Sequence, residues 1–190
     1  MRNTSAIKNS RALSVKTSMT FHILLSAAFL IFPAGMAFAA SMDLLTMTIP
    51  NRLCLGLALG FFVFALVASA PLHLVLWNAS CGAAVLVVMF TLFSLGWIGG
   101  GDAKFAAATA LWLGWGSLLD YSLSAAIYGG VLTVILILMR KFPLPESLAK
   151  LAWLARLHHP KTGVPYGIAL AAAGIMIFPQ TALIHVAPMG

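Results

Sequence analysis

The lengths of its apolar runs constrain this chain more than any motif. All charged residues but Lys104 fall outside six apolar stretches: Phe21–Ala40, Leu53–Ala70, Leu72–Leu95, Ala103–Leu119, Ser122–Met139 and Gly167–Ala187. Roughly 20 apolar residues in a helix cross a hydrocarbon layer about 30 Å thick. The pattern therefore predicts an all-α protein, a polytopic membrane helical bundle with about six transmembrane helices. Pro71 separates the second stretch from the third, because proline lacks the N–H that would continue a helix. Ala103–Leu119 is the shortest. A mean hydropathy of +1.02 with 8% charged residues excludes an ordinary soluble domain, in which about a quarter of residues are charged.

The net charge of +7 does not indicate nucleic acid, because the basic residues form no continuous face. They lie in the N-terminal tail, beside two of the aspartates, and in Arg140–Lys161. Basic residues between spans mark the cytoplasmic side. With an outer N-terminus, seven fall inside (Arg52, Lys104, Arg140, Lys141, Lys150, Arg156, Lys161) and four outside (Arg2, Lys8, Arg11, Lys16). The count favours that orientation and puts Asp43 and Asp102 near the inner face, leaving the basic tail as the piece that fits badly. A start at Met19 would remove it, so residues 1–18 are set apart from a single membrane-embedded domain over residues 19–190. The other reading is a secretory signal with cleavage at Ala37-Phe38-Ala39, which would leave Asp43 unsupported. The longest connection, Arg140–Lys161, predicts a short helix at Glu146–Leu157, lying on the inner membrane surface or in solvent.

Only four acidic residues occur in 190. Asp102 follows Gly99, Gly100 and Gly101 at the start of an apolar stretch, and Asp43 follows the end of the first. A carboxylate at membrane depth is costly and marks a functional site by default. Neighbouring carboxylates cannot both ionise readily and share a proton, so the pair could hold a water between a base and an acid. Each Asp could instead cap a helix, but a plain cap does not require three glycines. Lys104 could act on Asp102 through its charge or mark the inner face. Pro50 and Asn51 form a turn, so that Asp43 sits in a short structured re-entry. Asp120 reads as an interfacial charge in the connection between the fourth and fifth spans. Gly56/Gly60, Gly96/Gly100 and Gly163/Gly167 have the spacing of close helix contacts. Neither the histidines nor Cys54 and Cys81 show ligand spacing, so no metal and no cofactor is expected.

Asp43 with Ile49-Pro50-Asn51, then Gly99-Gly100-Gly101-Asp102-Ala103-Lys104, resembles the prepilin peptidases, the G-x-G-D membrane aspartic proteases. Pro165-Tyr166-Gly167 is similar to the opening of that family's final helix. The small size is most similar to the short peptidases of tight-adherence (Flp-type) pilus systems. The resemblance implies an aspartic endopeptidase of the bacterial inner membrane, multi-pass, with its site facing the cytoplasm. Asp43 and Asp102 would be the catalytic pair. Gly99, Gly100, Gly101, Lys104, Pro50 and Asn51 would form the substrate and active-site loops. The partners would be prepilins or pseudopilins held in the lipid bilayer. N-methylation is not expected, since the cysteine-rich segment of the larger enzymes has no counterpart. The rival readings are a small proton-coupled transporter and a non-catalytic subunit of a pilus or secretion apparatus.

Overall fold

The computed structural model describes residues 29–182. The basic tail, the two readings of its start, and the outer ends of the first and last apolar stretches lie outside the described residues. Eight α-helices follow in chain order: α1 (Phe29–Thr46), α2 (Asn51–Val67), α3 (Leu72–Ser94), α4 (Gly100–Leu113), α5 (Trp115–Met139), α6 (Glu146–Ala149), α7 (Ala152–His158) and α8 (Tyr166–Ile177), with a 3₁₀ turn at Phe178–Gln180. The all-α bundle is as expected. Among the described residues three helices, α1, α3 and α5, are long and apolar enough to cross a membrane, while α2 and α8 are shorter apolar helices.

Prolines set several of the helix starts. Pro50, Pro71, Pro145 and Pro165 immediately precede α2, α3, α6 and α8. At Pro50 and Pro71 the backbone is extended, with φ −63° and −62°, a torsion that the pyrrolidine ring supplies without strain. The break expected at Pro71 is therefore present.

The fourth and fifth stretches divide elsewhere than the sequence suggested. The boundary is Gly114, with φ +71°, and α5 runs unbroken from Trp115, so Asp120 lies inside a helix rather than in a connection. A residue with a Cβ is disfavoured at that torsion, and a Cβ there would also strike the Asn78 side chain. Glycine satisfies both demands.

α4 is the centre of the bundle, packed against α3, α2, α8 and α5. Phe105 through Leu113 are all buried, as expected for a helix that is apolar on every side. Trp112 anchors this core. Its Nε1–H donates to the Leu57 carbonyl at 2.8 Å, and its ring lies 5.3 Å from Phe32, 5.6 Å from Phe64 and 5.9 Å from Phe178. Outward, α2, α3 and α5 expose Leu59, Leu66, Val87, Phe90, Ile127 and Val134, an apolar exterior suited to lipid.

Two further expectations change. The loop helix divides into α6 and α7, with Leu151 extended between them. α7 is pinned to the bundle: Arg140 Nε donates to the Leu157 carbonyl at 2.8 Å, and Leu157 is buried. The three glycine pairs are not paired helix contacts. A Cβ at Gly60, Gly100 or Gly167 would meet neighbouring side chains, but one at Gly56, Gly96 or Gly163 would meet nothing within 4 Å.

Candidate functional site

Three helix ends meet around the first aspartate. α1 continues past Ala40 and carries Asp43 in its last turn, so Asp43 is held by a helix rather than by a re-entrant loop. The helix stops just beyond. Thr46 Oγ1 donates to the Met42 carbonyl at 2.7 Å, and Met47 takes φ +56°, a left-handed torsion uncommon outside glycine. Thr48, Ile49 and Pro50 then lead into α2. Ile49 is 7% exposed; a Cβ on Gly101 of α4 would touch it at an ordinary 3.5 Å, and one on Gly167 of α8 would collide with it at 2.7 Å. One buried side chain thus joins the α1–α2 corner to the starts of two other helices.

Asp43 is 5% exposed, and its Oδ2 accepts the Gly167 N–H at 2.7 Å. Gly167 stands in the first turn of α8, where backbone N–H groups lack intrahelical partners and the helix dipole favours an anion. Glycine is required by closeness, since a Cβ would lie 2.8 Å from Asp43 Oδ2 and 3.0 Å from its Cγ. Sequence reasoning placed Gly167 at a helix opening and in a glycine pair with helix-contact spacing. Its role rests on a main-chain donor, which no side-chain pattern reports.

Asp102 is the third residue of α4; its N-cap is Gly99, and no side-chain cap is made. The carboxylate is thus not the N-cap. It turns back over the helix start, with Oδ2 3.2 Å from where a Gly99 Cβ would be. Asp102 opens onto a cavity of about 730 Å³, walled in part by Trp97, Gly99, Gly163, Val164 and Tyr166. It lies outside the three spanning-length helices. Burial and, secondarily, the neighbouring Asp43 charge push its carboxyl up to about 7. Ile49 lies between the two aspartates' supports: it borders Gly101, the neighbour of Asp102, and Gly167, whose N–H holds Asp43.

The cavity wall is fastened from behind. Arg140 Nη2 donates to the Thr162 and Gly163 carbonyls at 2.9 and 3.1 Å. Tyr166 donates through its hydroxyl to the Ala125 carbonyl at 3.2 Å, and its ring lies against Gly129. Arg156 donates to the Leu45 carbonyl at 2.9 Å, tying α7 to the end of α1 beside Asp43. Sequence counting read Arg140 and Arg156 as topology markers; here both also hold main-chain carbonyls at the site.

Of the remaining candidates, Pro50 immediately precedes α2, Gly100 packs on Phe93, and Gly101 faces Ile49. Lys104 donates to Asn51 Oδ1 at 2.9 Å. These two residues line a second cavity, not the one onto which Asp102 opens.

The profile of the type IV leader peptidase family matches residues 30–136. The chain belongs to that family. The matched segment contains both aspartates and ends before α8, so the Gly167 contact lies beyond it. No curated protein and no solved structure matches the chain. Family membership makes it a leader-peptidase-like protease, a hydrolase, and with its three spanning-length helices a membrane protein.

Proposed function

We propose that this leader peptidase is of the aspartic type and removes the leader of Flp-type prepilins or pseudopilins at the cytoplasmic face. The observation that carries the reading is the unequal environment of the two carboxyls. Asp43 Oδ2 must present a lone pair to the Gly167 N–H, whereas Asp102 retains its proton up to about 7. Environments that differ in this way separate a base from an acid.

In this reading a water enters between the carboxyls from the cavity. Asp43 accepts one of its protons as the oxygen attacks the scissile carbonyl carbon, and Asp102 donates a proton to the carbonyl oxygen. The tetrahedral intermediate collapses when the amide nitrogen takes the proton held by Asp43, and the C–N bond breaks. Asp102 recovers its proton from the former carbonyl oxygen. No bond forms between enzyme and substrate. The excess of basic residues on the side of the two aspartates supports a cytoplasmic site, and the apolar exterior suits a substrate helix held in the same bilayer. Co-expression with a prepilin, read by immunoblot for leader loss, tests the proposal. Asp43→Asn and Asp102→Asn each abolish processing; cleavage retained by either would remove the two-aspartate mechanism.

A further inference from the structure

Residues two apart on a helix point to nearly opposite sides, so Lys104 faces away from Asp102. Asp102 opens onto the cavity of the candidate site, while Lys104 stands at the mouth of a separate groove of about 510 Å³ between α2, α3 and α4. Leu55, Ala58 and Phe62 of α2 and Ala79, Ala83 and Leu86 of α3 line its sides. Leu55 and Phe62 are 60% and 48% exposed, so the groove opens outward along an apolar exterior.

We propose that this groove holds one anionic phospholipid, with an acyl chain between α2 and α3 and its phosphate at Lys104. Charge complementarity is the first argument. Lys104 Nζ donates to the neutral Asn51 Oδ1, so an amide and not a carboxylate meets its charge there. The chain has 11 basic residues and only 4 acidic ones, two of them at the site on the far side of α4, so a negative partner comes from outside. Arg52, exposed in the first turn of α2, adds positive charge at the same end. Basic pockets between membrane helices bind anionic headgroups.

Length is the second argument. From Asn51 to Phe62 the helix rises about 16 Å at 1.5 Å per residue. Half of a hydrocarbon core about 30 Å thick is about 15 Å. The groove therefore runs about the depth of one leaflet from a cation at its mouth, which matches one lipid chain below its headgroup.

The test uses the whole chain in bilayer discs of mixed phosphatidylglycerol and phosphatidylcholine, with lipid retention read by native mass spectrometry. Phosphatidylglycerol is retained about fivefold over phosphatidylcholine, the factor that one lysine contributes near an anionic surface. Lys104→Gln removes the preference and Lys104→Arg keeps it. Ala83→Trp, which fills the groove, loses both lipids. As a second readout, alkylation of an Ala83→Cys variant, whose thiol would stand on the exposed wall of the groove while Cys54 and Cys81 are buried, slows in phosphatidylglycerol discs and not when Lys104→Gln is added. Equal retention of the two lipids, or a preference that survives Lys104→Gln, would overturn the proposal. So would protection of the Ala83→Cys thiol that depends on added prepilin, which makes the occupant a substrate helix, or on protein density, which makes it a second copy.

Discussion

Replacing Gly167 with alanine tests whether a main-chain donor organises the site. The new Cβ would stand 2.8 Å from Asp43 Oδ2, 3.0 Å from its Cγ and 2.7 Å from Ile49 Cδ1. Ile49 can turn its terminal methyl away. The Asp43 carboxylate cannot move without lengthening its 2.7 Å bond to the Gly167 N–H. A hydrogen bond to a charged group contributes about 1.5–3 kcal/mol, and each 1.36 kcal/mol is a tenfold change in rate. Gly167→Ala should therefore lower kcat/KM about 10- to 150-fold. The assay is leader release from a synthetic prepilin by purified enzyme in liposomes, beside Gly130→Ala as a control, since a Cβ at Gly130 meets nothing within 4 Å. A folded Gly167→Ala enzyme within twofold of wild type would refute the reasoning.

Asp102→Asn should be more heat-stable than wild type at pH 8. The folded protein holds the Asp102 proton up to about 7 against 3.8 for an exposed carboxyl, so wild-type stability falls as pH rises between those values. Thermal unfolding in detergent should show an advantage of up to about 4 kcal/mol above pH 7, vanishing below pH 4; an advantage independent of pH contradicts the burial of this proton. Gly101→Ala should retain cleavage, because its Cβ lies at an ordinary 3.5 Å from Ile49, whereas Gly101→Leu should abolish it while the protein accumulates, as an immunoblot can establish. Gly114→Ala should destabilise by about 1–3 kcal/mol through its positive φ alone. Adding Asn78→Ala should recover part of any further loss by removing the collision at that position, as a double-mutant cycle of unfolding temperatures would report.

What could be read in the sequence was what side chains and run lengths encode. Pro71 was legible as a boundary because its missing N–H acts wherever it stands. Gly114 was not, since the residues around it stay apolar and its positive φ is a property of the backbone alone. Asp120 misled for a related reason. One exposed carboxylate is tolerated on the outside of a long helix, so it need not mark a loop. The first apolar stretch ends at Ala40, which put Asp43 in a re-entry beyond it, yet the helix continues to Thr46. The candidate aspartates and the glycines before Asp102 stood out by their chemistry. The Gly167 N–H that receives Asp43 is 124 residues away in the chain and has no side chain to announce it.

The most direct measurement of the central claim is the mass of the fragments that purified enzyme releases from a prepilin in liposomes, for wild type, Asp43→Asn and Asp102→Asn. Wild type should release one leader and one mature pilin, and each variant should release neither although it folds and inserts. Leader release by a folded Asp43→Asn or Asp102→Asn enzyme would contradict the account.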